Sequence, residues 1–372
     1  MCSLSKIKVK NLLTDFENLG GLKRSKGFFV EDGETIYPFS SSAGNNCDEA
    51  LEDYIIKKYK VQNRPVYVKP YKTESRVFNE VLFGRVLNKA DTNSVYSYPI
   101  LLKNDNMSHT NVNNMIYLQD KDKWFTRGLM SQDVNEIGLY CVRGDEVIDK
   151  LFEENFSFFE RKKIQNPFVF LQDNDDFDRE INSKNGMAFI SIEDEDFKQM
   201  LLEIMTPECL DELNLLIMET NVSGLDDVNS ENLFFYKLDR NSEKFDGVII
   251  LDNEFTIFEN GDVSHNILLS DVNDKARFKE LCEDIITKER TSWSPFCFLN
   301  NSHKDRIKII NDLIYDGKLS SSQIAGIKKL LEFDYDKEMI NVCKTYQGIY
   351  VPVQKIEAQK YLIDFNRNNL EL

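Results

Sequence analysis

The chain has 372 residues, of which 41% are hydrophobic and 12% aromatic. That is enough apolar content to bury a sizeable core and to divide into two lobes, and it excludes disorder of the whole. With 46 Lys and Arg against 63 Asp and Glu, the net charge of −17 repels phosphate backbones over most of the surface and argues against nucleic acid as a partner.

No run approaches the roughly 20 apolar residues that cross a bilayer, and the start, Met1 to Lys6, lacks an apolar signal core. The 7 cysteines are scattered without a Cys-x-x-Cys pair, which predicts reduced thiols in a cytoplasmic setting. His109, His265 and His303 are too few and too dispersed for a zinc cluster or a His-centred triad. Any metal is therefore expected to be held by oxygen.

In chain order, the runs Gly27 to Val30 and Thr35 to Tyr37 predict strands around the Glu31-Asp32-Gly33 turn. Ser40 to Asn46 is a small polar stretch whose amides could approach an anion or form an ordinary surface loop. Arg64 to Tyr71 is β-favouring, carries Lys69 and is stopped by Pro70. From Glu74 to Lys89, Val77, Phe78, Val81, Leu82 and Val86 recur at helical intervals as one apolar stripe, with Glu80 beside it.

Strands are expected from Ser94 to Leu102 and from Asn114 to Gln119, separated by the polar segment Asn104 to Asn113. The region from about Lys121 to Asn185 mixes acidic clusters with aromatic runs; no element is assigned there, and it reads as an insertion or a substrate-facing part. Glu193 to Met218 predicts two helices broken at Pro207. Further helices are expected over Lys275 to Lys288, His303 to Tyr315 closed by Gly317, Ser321 to Leu331, and Pro352 to Phe365. Trp293 and Pro295 read as an aromatic packed under a loop or as a segment near an acceptor.

The most informative stretch lies between these helices. Gly224 to Glu231 is polar and runs into the β-like Asn232 to Tyr236, with Asp227 and Asn232 five positions apart. A turn from Asp239 to Asp246 then leads to Gly247-Val248-Ile249-Ile250-Leu251, an apolar strand that delivers Asp252-Asn253-Glu254. This order would gather Asp227, Asn232 and Asp252 around one point, and hard oxygen ligands of this kind suit Mg²⁺. Lys69 and Glu80 are eleven apart, strand then helix, which permits an ion pair, with Glu74 as the competing partner.

Together, Val66-Tyr67-Val68-Lys69, the helix around Glu80, Asp227 to Asn232 and Asp252-Asn253-Glu254 resemble the protein-kinase superfamily, in particular the HipA-like kinases, over about residues 60 to 370. The resemblance implies an α+β, two-lobed fold, with a small β-rich lobe over 1–124 and a larger, mainly helical lobe over 125–372. It implies ATP and Mg²⁺ as cofactors and transfer of the γ-phosphoryl group to a hydroxyl, on a serine or threonine of a protein or on a small molecule. By the same resemblance Asp227 orients the acceptor hydroxyl, Asn232 and Asp252 hold the metal, Lys69 steadies the nucleotide phosphates and Glu80 positions Lys69. Ser42 and Gly44, in a Ser-x-x-Gly-like stretch, would contact phosphate.

Two departures accompany the likeness. Asn229 stands where the D-x-H-x-x-N loop has histidine, and the His-Arg-Asp and Asp-Phe-Gly triplets of typical eukaryotic kinases are absent. Each residue also has a plainer reading: Asp226 and Asp227 as turn caps, Lys69 as a solvent-facing strand residue, Glu80 as a solvated helix charge. The competing whole-chain readings are a catalytically dead kinase-like scaffold and an acidic interaction protein of unrelated mixed fold. A toxin or host-directed effector role accompanies the family, and with it a cytoplasmic location or delivery into a host cell.

Overall fold

The computed structural model describes residues 23–25, 28–31, 34–35, 57–61, 64–70, 74–95, 97–103, 115–118, 123–132, 134, 139–155, 157, 195–225, 228, 232–251, 253, 256–258, 267, 269–288, 302–338 and 353–372. The structure comprises two compact units. One contains Met1–Arg85, Val95–Gly138 and Asp334–Pro352; the other contains Val86–Ser94, Leu139–Phe333 and Val353–Leu372.

The first unit is rich in sheet. Strands β1 (Lys23–Ser25), β2 (Phe28–Glu31) and β3 (Glu34–Thr35) form an antiparallel meander, with Glu31 opposite Glu34 across the expected turn. A second antiparallel sheet contains β4 (Lys57–Val61), β5 (Arg64–Pro70), β6 (Ser97–Lys103), β7 (Met115–Leu118) and β8 (Lys123–Gln132). Its order is β4-β5-β8-β6, with β7 also paired to β8. Val, Tyr and Val supply the β-branched and aromatic side chains that make β5 a strand, and Pro70 stands at its final position, where a missing N–H costs least. The division expected at residue 124 falls inside β8, whose residues all belong to the first unit.

Helix α1 spans Glu74–Lys89, the range its apolar spacing predicts. Its environment differs from the expectation of a single stripe. Every residue from 77 to 84 is buried, including Asn79 and Glu80, and Asn88 is only 1% exposed. A helix enclosed on most of its circumference must place its polar groups inside as well, so period alone does not identify the face that meets protein. Arg85 answers one such demand, donating from Nη1 to Glu338 Oε1 at 2.6 Å.

The second unit is mainly helical. Part of the region left unassigned by sequence forms β9 (Tyr140–Arg143) and α2 (Gly144–Glu154); 158–194 lie outside the described residues. Helices α3 (Glu195–Ile204) and α4 (Pro207–Ser223) follow, with Pro207 at the first position of α4 rather than as a kink. Thr206 caps α4 by accepting from the Cys209 amide, and Gly224 ends it at φ 71°, a left-handed conformation that glycine adopts without a Cβ penalty. All residues from 212 to 223 are buried, which makes α4 the central helix of this unit.

Strands β10 (Leu233–Lys237) and β11 (Gly247–Ile250) form a hairpin, and β9 pairs with the other edge of β10, giving the order β11-β10-β9. The remaining helices are α5 (Leu269–Asn273), α6 (Lys275–Thr287), α7 (His303–Tyr315), α8 (Ser321–Glu332) and α9 (Val353–Asn369). Ser302 caps α7, and Ser320 with Gln323 forms a reciprocal capping box on α8. Among the described residues no helix is long and apolar enough to cross a membrane. Cys209 and Cys282 are buried free thiols.

Candidate active site

The loop from Gly224 to Asn232 is secured at both ends to the segment that follows β11. At its start, Gly224 accepts at its carbonyl from the Ile257 amide at 2.9 Å, and Leu225 and Thr256 form an antiparallel bridge. At its end, the Asn232 carbonyl accepts from the Leu251 amide at 2.7 Å, continuing the β10–β11 register in which Leu233 faces Ile250. The described residues that flank the candidate acidic residues are therefore paired by backbone hydrogen bonds. Asp227 and Asp252 themselves lie outside the described residues, as do Ser42, Gly44, Trp293 and Pro295.

The start of the loop is fixed from the far end of the chain. Asn366, fully buried on α9, donates from Nδ2 to the Val222 carbonyl at 2.6 Å, and Gln359 donates to the Ser223 carbonyl at 3.2 Å. Two carboxamides thus satisfy carbonyls that the end of an α-helix cannot pair internally. The other end of the Asn366 carboxamide is 2.9 Å from His303 Nε2, and His303 is 1% exposed. At Gly224 a Cβ would sit 2.8 Å from Leu362 Cδ2, so close packing as well as backbone conformation selects glycine where the loop begins.

On the other side of β11 the turn after α1 is bonded to the strand. Ile250 donates its amide to the Asn93 carbonyl at 2.9 Å, and Ser94 forms a parallel bridge with Ile250. Asn253, 2% exposed, donates from Nδ2 to Ser94 Oγ at 2.9 Å. Asn88 holds Ser94 by its main chain, accepting from the amide at 3.3 Å and donating to the carbonyl. Asn93 in turn donates to the Val248 carbonyl at 3.3 Å and to Glu212 Oε2 at 3.4 Å.

Glu212 is a buried carboxylate on α4 that also accepts from the Val248 amide at 3.4 Å. Burial, reinforced by the Glu212 charge, pushes the Cys209 thiol well above its usual range and raises the Tyr236 phenol as well. A side chain at Gly247 would collide with the Tyr236 hydroxyl and the Glu212 carboxylate, so the first residue of β11 must be glycine for the hairpin to approach α4.

In the first unit, the backbone of Lys69 lies on β5 opposite Leu129 of the central strand β8. Glu80 is 3% exposed and its Oε1 accepts from Ser97 Oγ at 2.8 Å. The plain reading of Glu80 as a solvated helix charge is thereby corrected: Glu80 is enclosed, and a carboxylate enclosed at that level needs polar partners. Ser97, Ser94, Asn88 and Asn253 are functional candidates that the sequence reading passed over; of these only Asn253, directly after Asp252, carried a signal by position. Among the described residues no group of three or more His, Cys, Asp or Glu could hold a metal ion.

No family model matches the sequence, and no curated protein matches it. A match is found among solved structures. The crystal structure of the Helicobacter pylori proinflammatory kinase CtkA superposes with a TM-score of 0.51, over 90% of this chain and 92% of that one, at 10% sequence identity. At this identity the likeness is one of fold, so the chain has a kinase-like fold. The alternative of an unrelated mixed fold does not agree with that match.

Proposed function

We propose that this chain is an ATP-dependent phosphotransferase of the protein-kinase type. A shared fold does not by itself carry an activity. The observation that supports the reading is the backbone pairing of Gly224, Leu225 and Asn232 with Ile257, Thr256 and Leu251, the described residues that flank Asp227 and Asp252 in the chain. The enclosure of Glu80 supports the second half of the constellation, because a buried glutamate on the helix after the lysine strand is what an ion pair with Lys69 requires.

In this reading Lys69 steadies the α and β phosphates of ATP and Glu80 orients Lys69. Ser42 and Gly44 contribute contacts to phosphate, and Asp227 aligns the acceptor hydroxyl for in-line attack. The oxygen donors of Asn232 and Asp252 fit Mg²⁺, a hard cation that prefers oxygen and retains water. When bound, the ion neutralises charge on the β and γ phosphate oxygens. The HipA-like resemblance favours a serine or threonine of a protein as acceptor, with a small hydroxylated metabolite as the second class.

Asp227→Ala and Asp252→Ala are each expected to lower phosphotransfer by about a thousandfold or more while the chain stays folded, the scale on which transition-state groups act. The check is transfer of labelled γ-phosphate to a protein pool and to small hydroxylated compounds, with circular dichroism as the folding control. Wild-type rates in either variant would remove its assignment. Label found only in the small-molecule fraction would replace the protein acceptor.

A further inference from the structure

We propose that Ser97 is a positioning residue for the Glu80 carboxylate, an inference that rests on the phosphotransferase reading and deepens it. Ser97 opens β6 and donates from its hydroxyl to Glu80 Oε1 at 2.8 Å. Both residues are only 3% exposed. A carboxylate so enclosed is held by hydrogen bonds rather than by water, and a hydrogen bond to a carboxylate is about twice as strong as one between neutral groups. The bond selects one side-chain arrangement of Glu80, because the hydroxyl that it meets is carried on a paired strand.

Backbone register ties this contact to the lysine strand. Ser97 pairs with Ser131 of β8, and Ser131 pairs with Tyr67 of β5; Lys69, two residues after Tyr67, pairs with Leu129, two residues before Ser131. Directly opposed residues share a face of an antiparallel sheet, as do residues two apart in one strand. Lys69 and Ser97 therefore belong to the same face, and on this face Ser97 meets α1. Only β8 stands between β5 and β6, which are about 10 Å apart by two strand spacings. The helix that carries Glu80 is held as well: Arg85, five residues on, donates to Glu338, and their side chains are only 13% and 7% exposed. A carboxylate has acceptor sites for several donors, so the bond from Ser97 is compatible with a lysine ammonium as a further partner.

Ser97 touches no substrate in this account and acts through Glu80, so nucleotide binding as well as turnover must report it. Adenylyl imidodiphosphate with Mg²⁺ is titrated into the full chain by isothermal calorimetry, for wild type, Ser97→Ala, Ser97→Thr, Glu80→Gln and the Ser97→Ala, Glu80→Gln double variant. Urea unfolding is the stability control. Ser97→Ala is expected to weaken the nucleotide about tenfold, and Ser97→Thr, which keeps the hydroxyl, to bind close to wild type. In the Glu80→Gln background the same Ser97→Ala change is expected to cost about twofold or less, because the two residues serve one interaction.

Glu80→Gln separates failure of the positioning role from failure of the reading beneath it. If Glu80→Gln weakens the nucleotide while Ser97→Ala binds as wild type, the positioning role is overturned and the Glu80 assignment stands. If Glu80→Gln binds as wild type, or wild type itself binds no nucleotide, the reading fails and takes the positioning role with it. Equal losses for Ser97→Ala in both backgrounds also overturn the proposal, because the hydroxyl then acts other than through Glu80. A loss of urea stability in Ser97→Ala without loss of affinity marks a merely structural bond and overturns it too. Where Ser97→Ala unfolds the chain, Ser97→Thr against Ser97→Val, alike in shape and different in the hydroxyl, decides the same question.

Discussion

Glu80 and Asn253 show what a single position conceals. In the sequence each looks like an ordinary polar residue, one on a helix and one after an acidic residue; in the structure both are almost completely enclosed. Their partners, Ser97 and Ser94, lie 17 and 159 residues away, and local composition carries no record of such pairings. Cys282 is similar. On α6 it is fully buried with Ile285, Ile286, Ala358 and Leu362, and burial pushes its thiol up to about 12 from 9.0, helped by the Glu283 charge. The unfolded chain therefore loses this proton first as pH rises, and above about pH 9 the unfolded state holds fewer protons than the folded one. The stability contribution is complete below that pH and declines toward about 12, by up to about 1.4 kcal/mol per pH unit. Urea midpoints between about pH 8.5 and about pH 10.5 should fall more steeply in wild type than in Cys282→Ala, and parallel slopes would show that the thiol is not protected by burial.

Elements were legible where they carried their own boundary chemistry. The helices α1, α4, α6, α7, α8 and α9 follow apolar spacing and local capping residues such as Thr206, Ser302 and Ser320. Strand β4 was missed because Lys57-Lys58-Tyr59-Lys60-Val61 is dense in lysine, a composition that suits an exposed edge strand and reads as loop. The central strand β8 was missed because Arg127 and Gly128 interrupt its alternation. What sequence spacing could not show is how one element completes another, as α9 completes α4. Asn366→Ala removes a donor to the Val222 carbonyl and one hydrogen-bond contact of His303 Nε2, at about 1–3 kcal/mol for each buried group left unsatisfied. The expected result is a loss of about 2 kcal/mol or more in urea unfolding, with faster hydrogen exchange at Gly224 and Leu225. Unchanged exchange at those amides would mean that α9 does not fix the loop's start.

At the scale of the whole molecule, the order of elements carried the fold class. Lysine strand, helix, strands, helices, polar loop and hairpin occur in an order that agrees with a kinase-like fold, although identity to the matched kinase is 10% and the typical kinase triplets are absent from the sequence. The net charge of −17 bears on ligands too, since an acidic chain binds ATP only where local cations and the metal outweigh its overall field. MgATP at a hundredfold its Kd should stabilise the chain by about 2.7 kcal/mol, read as a rise of several degrees in Tm, with little effect from ATP plus a chelator. No rise in either condition would favour a kinase-like scaffold without nucleotide. The carboxamides of α9 that cap α4 also have a bearing on biosynthesis, since they reach back 136 and 144 residues in sequence. A ribosome makes the loop long before it makes the helix that secures it, so the end of α4 goes without these two donors until the last helix of the unit has been synthesised.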